Sequence, residues 1–136
     1  MEVLKTEIDV DDFFTRVARA EKRVLFLDYD GTLAPFTPER EHAYPYPGVR
    51  EILEDLFRAE STRLILITGR WTQDLCRLLG SENLPEIWGS HGWEKLTPDG
   101  RYEVGAFSER ALQGLADADD WVERVGLTEL VEYKPG

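Results

Sequence analysis

The sequence predicts an α/β fold: an open, mainly parallel sheet with flanking helices and a β-hairpin. Three observations carry this expectation. Two apolar runs without alternation, Val24-Leu25-Phe26-Leu27 and Leu64-Ile65-Leu66-Ile67, suit strands covered on both faces. Between them Val49, Ile52, Leu53, Leu56 and Phe57 recur at helical spacing. The resulting order, strand-helix-strand-helix-strand and then a hairpin, is that of right-handed crossovers in an open sheet.

The elements follow in order. Asp9 to Glu21 reads as a helix, with Asp9, Asp11 and Asp12 at its positive end and Phe13, Phe14, Val17 and Ala18 as its apolar face. The first strand follows the basic pair Lys22-Arg23. Asp28 to Pro47, with Gly31 and four prolines, reads as a loop. Pro47 or Gly48 starts the next helix. After the second strand, Thr72 to Leu79 forms a helix stopped by Gly80. Pro85 to Ser90 is a weaker third strand, and Trp88 is expected in the core. Asp99-Gly100 between Trp93–Leu96 and Arg101–Val104 marks the hairpin. Ser108 caps a helix to about Val125, and Thr128 to Tyr133 reads as a last strand.

With 136 residues, the chain has the size of one domain, and 42% hydrophobic residues exclude a disordered one. Its 16 basic and 27 acidic residues leave a formal charge of -11. Such a surface repels phosphate backbones and anionic membranes, so no nucleic-acid or membrane partner is expected. Cys76, the single cysteine, excludes an internal disulfide or a cysteine zinc cage and reads as packed rather than reactive. No apolar run approaches the length of a membrane span, and the start Met1-Glu2-Val3-Leu4-Lys5 does not resemble a signal peptide. A cytoplasmic protein is expected.

Ligands of open α/β sheets bind beyond the carboxyl ends of the strands. The first such end is Asp28-Tyr29-Asp30-Gly31-Thr32-Leu33. An extended backbone puts Asp28 and Asp30 on one side, where two carboxylates repel unless a cation or a proton is shared. Mg²⁺, which takes a few carboxylates and phosphate oxygens, fits that need. One carboxylate can attack phosphorus while the other serves as general acid and then base. Gly31 lets the chain turn beside a ligand. An acidic turn without function, or a calcium loop, accounts less well for a hydrophobic strand followed by Asp-x-Asp-Gly-Thr. The second end is Thr68-Gly69-Arg70, whose hydroxyl and backbone N–H groups can meet phosphate oxygens. His91 falls near the third strand end, with hairpin stabilisation as its plain alternative.

These residues resemble the haloacid dehalogenase superfamily, whose first motif Asp28 to Leu33 matches in full and whose second falls on Thr68. More narrowly, Leu27 to Pro35, Thr68-Gly69-Arg70, Ser90-His91-Gly92 and Glu132-Tyr133-Lys134 resemble trehalose-6-phosphate phosphatases. The resemblance implies a partial Rossmann-like core over residues 1–107 and the beginning of a cap over 108–136. It also implies Mg²⁺-dependent hydrolysis of a sugar phosphate, trehalose 6-phosphate above all. Asp28 would be the nucleophile and a metal ligand. Asp30 would be the acid/base and give its carbonyl to the metal. Gly31, Thr32, Thr68, Gly69, Arg70 and His91 would surround the phosphate, and Glu132 and Lys134 would touch the sugar.

The family pattern continues with a lysine and a Gly-Asp-Asp-type motif, and the sequence holds neither. Asp119-Asp120 sits in a helical pattern as a solvated face. The resemblance therefore implies the N-terminal half of such an enzyme. The alternative is a catalytically inactive fragment that binds phosphate or Mg²⁺, or that needs a partner chain. An exposed apolar sheet edge, open to self-association or a complementing chain, is expected.

Overall fold

Parallel strands need crossovers, and the direction in which the crossovers advance decides which face of the sheet they cover. A computed structural model describes residues 9–59, 61–81, 83–131 and 133. Strands β1 (Val24–Asp28), β2 (Arg63–Ile67), β3 (Glu86–Gly89), β4 (Glu94–Leu96) and β5 (Tyr102–Val104) form one sheet in chain order. The first three are parallel and the last two add antiparallel. Helix α1 (Val10–Arg19) precedes the sheet, α2 (Val49–Arg58) and α3 (Thr72–Leu79) follow β1 and β2, and α4 (Glu109–Val125) follows β5.

Because β1, β2 and β3 advance in one direction, right-handed crossovers bring α2 and α3 to the same face. There Leu25, Leu27, Leu64, Leu66 and Ile87 meet Leu53 of α2 and Leu75, Leu78 and Leu79 of α3. Cys76 is half-buried beside them, and burial pushes its thiol up, which suits packing rather than reactivity.

The opposite face carries Val24, Phe26, Ile67 and Trp88. Phe26 is 57% exposed and Val24 51%. Here the sequence reading needs correction: β1 is covered on one face, not two. An unalternating apolar run reports where a strand could be covered, not whether an element lies there. Trp88 is corrected likewise. It lies on the open face, where its indole N–H donates to Glu86 at 2.7 Å and the Lys95 ammonium stands 5.9 Å from its ring centroid. Among the described residues β1 pairs only with β2, so the expected exposed edge is present.

The outer elements pack little. Asp9 caps α1 by accepting the Asp12 N–H at 2.9 Å, yet no residue of α1 is buried. Ser108 caps α4 through the Ala111 N–H at 3.3 Å, and α4 also buries nothing. The strand expected from Thr128 is another correction: Thr128–Leu130 is a 3-10 turn. A strand needs a ladder partner. With none alongside among the described residues, local bonds prevail, and the Leu130 N–H donates to Leu127 C=O at 2.9 Å. Glu132 lies outside the described residues.

Candidate active site

Asp28 is the last residue of β1, and its register partner on β2 is Ile67, one residue before Thr68. The two strand ends that carry the motifs are therefore neighbours. After Asp28 the chain folds into a tight turn. The Tyr29 carbonyl accepts the N–H groups of Thr32, Leu33 and Ala34 at 3.2, 2.9 and 3.1 Å. Gly31 makes the turn possible with φ 80°, a left-handed value that other residues adopt at a cost.

Tyr29 anchors this turn. Its ring is fully buried and its hydroxyl donates to Ala43 C=O at 2.6 Å, tying the following loop to the core. Burial pushes the phenol up to about 12. With Tyr29 turned inward, Asp28 on one side of it is exposed and Asp30 on the other is half-buried. The Asp28 carboxylate accepts the Thr32 hydroxyl at 3.5 Å.

Thr68 is buried, and its hydroxyl oxygen accepts the Arg70 N–H at 3.1 Å, which folds the chain back after β2. Arg70 is only 5% exposed. Its Nε donates to both Asp30 oxygens at 3.1 and 2.8 Å, its Nη2 to Oδ1 at 2.6 Å, and its Nη1 to Arg40 C=O at 2.5 Å. The hydrogen bonds to Asp30 hold the guanidinium above its ordinary value. The sequence placed Arg70 beside the phosphate; the structure engages its charge on Asp30. Arg70 thus joins the first motif to the second.

The third strand end closes on the other two. The Ser90 N–H donates to Arg70 C=O at 2.7 Å and the His91 N–H to Thr68 C=O at 3.1 Å. Gly69 lies directly beneath His91: a Cβ on it would come within 2.5 Å of His91 Cε1, so the imidazole would have to move. Asp28, Asp30, Gly31, Thr32, Thr68, Gly69, Arg70 and His91 thus share one end of the sheet. An open cavity of about 450 Å³ flanks Arg70, lined also by Arg40, Tyr44, Asp74 and Arg77. Glu132 and Lys134 lie outside the described residues.

Sequence reasoning missed two residues. Tyr29 was hidden between the aspartates, although its place just past the strand end, two residues from Leu27 and in phase with it, was a signal. Glu94 had none, because its partners come from three separate elements.

The chain matches the family model described as Trehalose-phosphatase over residues 26–132. It is 33% identical over 101 residues to a trehalose-phosphate phosphatase of Mycobacterium leprae, a match covering 73% of this chain and 22% of that protein. It resembles the structure of a trehalose-6-phosphate phosphatase of Aspergillus fumigatus with a TM-score of 0.67 and 25% identity, over 86% of this chain and 44% of that one. A haloacid dehalogenase-like hydrolase from B. subtilis shares the fold, with a TM-score of 0.59 and 16% identity over 76% of this chain and 34% of its own. The chain spans about a fifth of the Mycobacterium leprae relative's length.

Proposed function

The chain belongs to the trehalose-phosphatase family, and on that premise we propose that it carries the nucleophile half of a Mg²⁺-dependent sugar-phosphate phosphatase, with trehalose 6-phosphate as substrate. The observation that carries this reading is the register of Asp28 against Ile67, which brings an exposed carboxylate beside the Thr68 loop.

In this reading a carboxylate oxygen of Asp28 attacks phosphorus, and the phosphorus–oxygen ester bond breaks. Asp30, protonated, gives its proton to the leaving sugar oxygen. The products are the free sugar and an aspartyl phosphate. Asp30, now ionised, takes a proton from a water molecule as that water attacks phosphorus. Inorganic phosphate leaves, and Asp28 and protonated Asp30 are restored. Arg70, donating to both oxygens of Asp30, fixes the orientation of that carboxyl group for both halves. Thr68, Gly69, Thr32 and His91 surround the phosphate.

The donor set suits Mg²⁺ in part. Asp28 offers a hard, exposed oxygen and Asp30 a backbone carbonyl, and Mg²⁺ keeps waters and substrate oxygens for its other positions. Among the described residues no group of three metal-ligating side chains converges. When bound, the ion would neutralise charge on the transferring phosphoryl group. The lone Cys76 supports a reducing, cytoplasmic setting.

The open face and free edge of β1 favour a second reading, in which this chain binds phosphate but turns over only when a further segment or partner chain covers that face. Both are tested by Mg²⁺-dependent phosphate release from trehalose 6-phosphate and an aryl phosphate, beside Asp28→Asn. Release that vanishes in Asp28→Asn supports the first. A folded chain that binds inorganic phosphate without turnover supports the second. Neither binding nor release sinks both.

A further inference from the structure

The most deeply buried charge that the proposed chemistry leaves unused is Glu94, at the start of β4. Its side chain is among the most enclosed in the molecule, at 1% exposure. A carboxylate so placed must be satisfied by donors. Three hydroxyls supply them. Thr72, at the first turn of α3, donates to Oε2 at 2.9 Å, and Tyr102 on β5 donates to the same oxygen at 2.9 Å. Ser90 donates to Oε1. The Tyr102 phenol is correspondingly raised, by burial first and by the Glu94 carboxylate second.

What these bonds hold is an unusual turn. Ser90 and His91 have φ values of 47° and 58°, and they are the described non-glycine residues with positive φ. Two consecutive left-handed residues persist only when their surroundings impose the conformation. The backbone bonds of Ser90 and His91 to Arg70 and Thr68 are one restraint. The Ser90–Glu94 bond is another, and through Thr72 it ties the turn to the start of α3, just after Arg70.

We infer that Glu94 is a positioning residue: by gathering the hydroxyls of Thr72, Ser90 and Tyr102 it holds the Ser90-His91-Gly92 turn against the Thr68-Gly69-Arg70 loop. The inference rests on reading that loop as the phosphate site. His91 is the group delivered, its imidazole lying over Gly69. Glu94 itself touches no ligand.

Amide hydrogen exchange on the full chain tests this, together with titration of inorganic phosphate followed at the Gly69 amide. In Glu94→Ala the Ser90 and His91 amides exchange about tenfold faster or more, and phosphate binds about tenfold more weakly, as the loss of more than one buried hydrogen bond implies. The β1–β2 amides keep their protection. Glu94→Gln retains an acceptor and a group that can donate to a hydroxyl, and it rescues both readouts to within about threefold. Should Glu94→Ala fail to fold, Ser90→Ala serves in its place. Unchanged exchange at Ser90 and His91 overturns the inference. So does faster exchange with unchanged phosphate affinity, which would make Glu94 merely structural, or a Glu94→Gln that behaves as Glu94→Ala. A wild-type chain that binds no phosphate removes the phosphate-site reading on which the inference rests, and the exchange result shows separately whether the latch itself exists.

Discussion

The two faces of the sheet are built from the same strands and the same residue types, yet they have opposite fates. On one, Leu64, Leu66 and Ile87 are buried beneath α2 and α3; on the other, Val24, Phe26 and Trp88 meet solvent, although Ile65 and Glu86 between them are buried. The difference is not in hydrophobicity but in the winding of the chain. Three parallel strands laid down in one direction send both crossovers to one side. The open face has its own means of coexisting with water. Arg63 donates to Glu86 at 3.0 Å, and Lys95 stands 3.9 Å from Glu86 and 3.8 Å from Glu103, so charges interrupt the apolar surface.

The comparison can be broken most directly by truncating one side chain on each face. Leu66→Ala should destabilise the chain by about 2–5 kcal/mol in urea unfolding, and Phe26→Ala by less than about 1 kcal/mol. Equal losses would mean that the open face is covered in solution, and sedimentation would then show self-association. The covered side should next reveal itself at high pH. Tyr29 is raised in the fold to about 12, so its neutral form contributes stability that is complete below pH 10 and is lost as pH rises towards 12. The step should be roughly 3 kcal/mol and absent in Tyr29→Phe. A wild-type alkaline profile matching that of Tyr29→Phe would show that the ring is not buried.

The open side should respond at low pH, and more weakly. Burial acts to raise Glu86, but the Trp88 indole and the Arg63 guanidinium outweigh it and hold the carboxyl below its ordinary value. Its contribution is therefore present above the usual glutamate range and lost as pH falls through the lowered value. Because Arg63 is largely exposed, that contribution should be about 1 kcal/mol at most, measured as the difference between wild type and Glu86→Gln across pH 3–6. Smallest of all, Trp121→Gln on α4 should change stability by no more than about 0.5 kcal/mol, since that helix buries nothing. A larger loss would show α4 docked on an apolar surface.

Much of the fold was legible because its signals are local. Ser108 caps the helix it was expected to cap, Asp9, expected only as charge at the helix start, caps α1, and Gly80 ends α3 in a left-handed conformation. The hairpin forms around Asp99-Gly100, with the Gly100 N–H donating to Thr97 C=O at 2.9 Å. Thr128 onward misled, because β-propensity has no effect without a neighbouring strand. The site was legible where it depends on strand ends, at Asp28 and Thr68. It was not legible where it depends on which distant groups meet.

The sequence by itself determined the five strands of the sheet, the helices and the placing of the acidic and Thr-Gly-Arg motifs at strand ends. Periodicity, capping and turn chemistry act within a few residues and are written in the chain. Only the tertiary structure decided that one face of the sheet stays open, that Arg70 closes on Asp30 forty residues away, and that three hydroxyls converge on Glu94. Those outcomes depend on crossover direction and on contacts across elements, where the energy of a charged group is set by whatever the fold brings beside it.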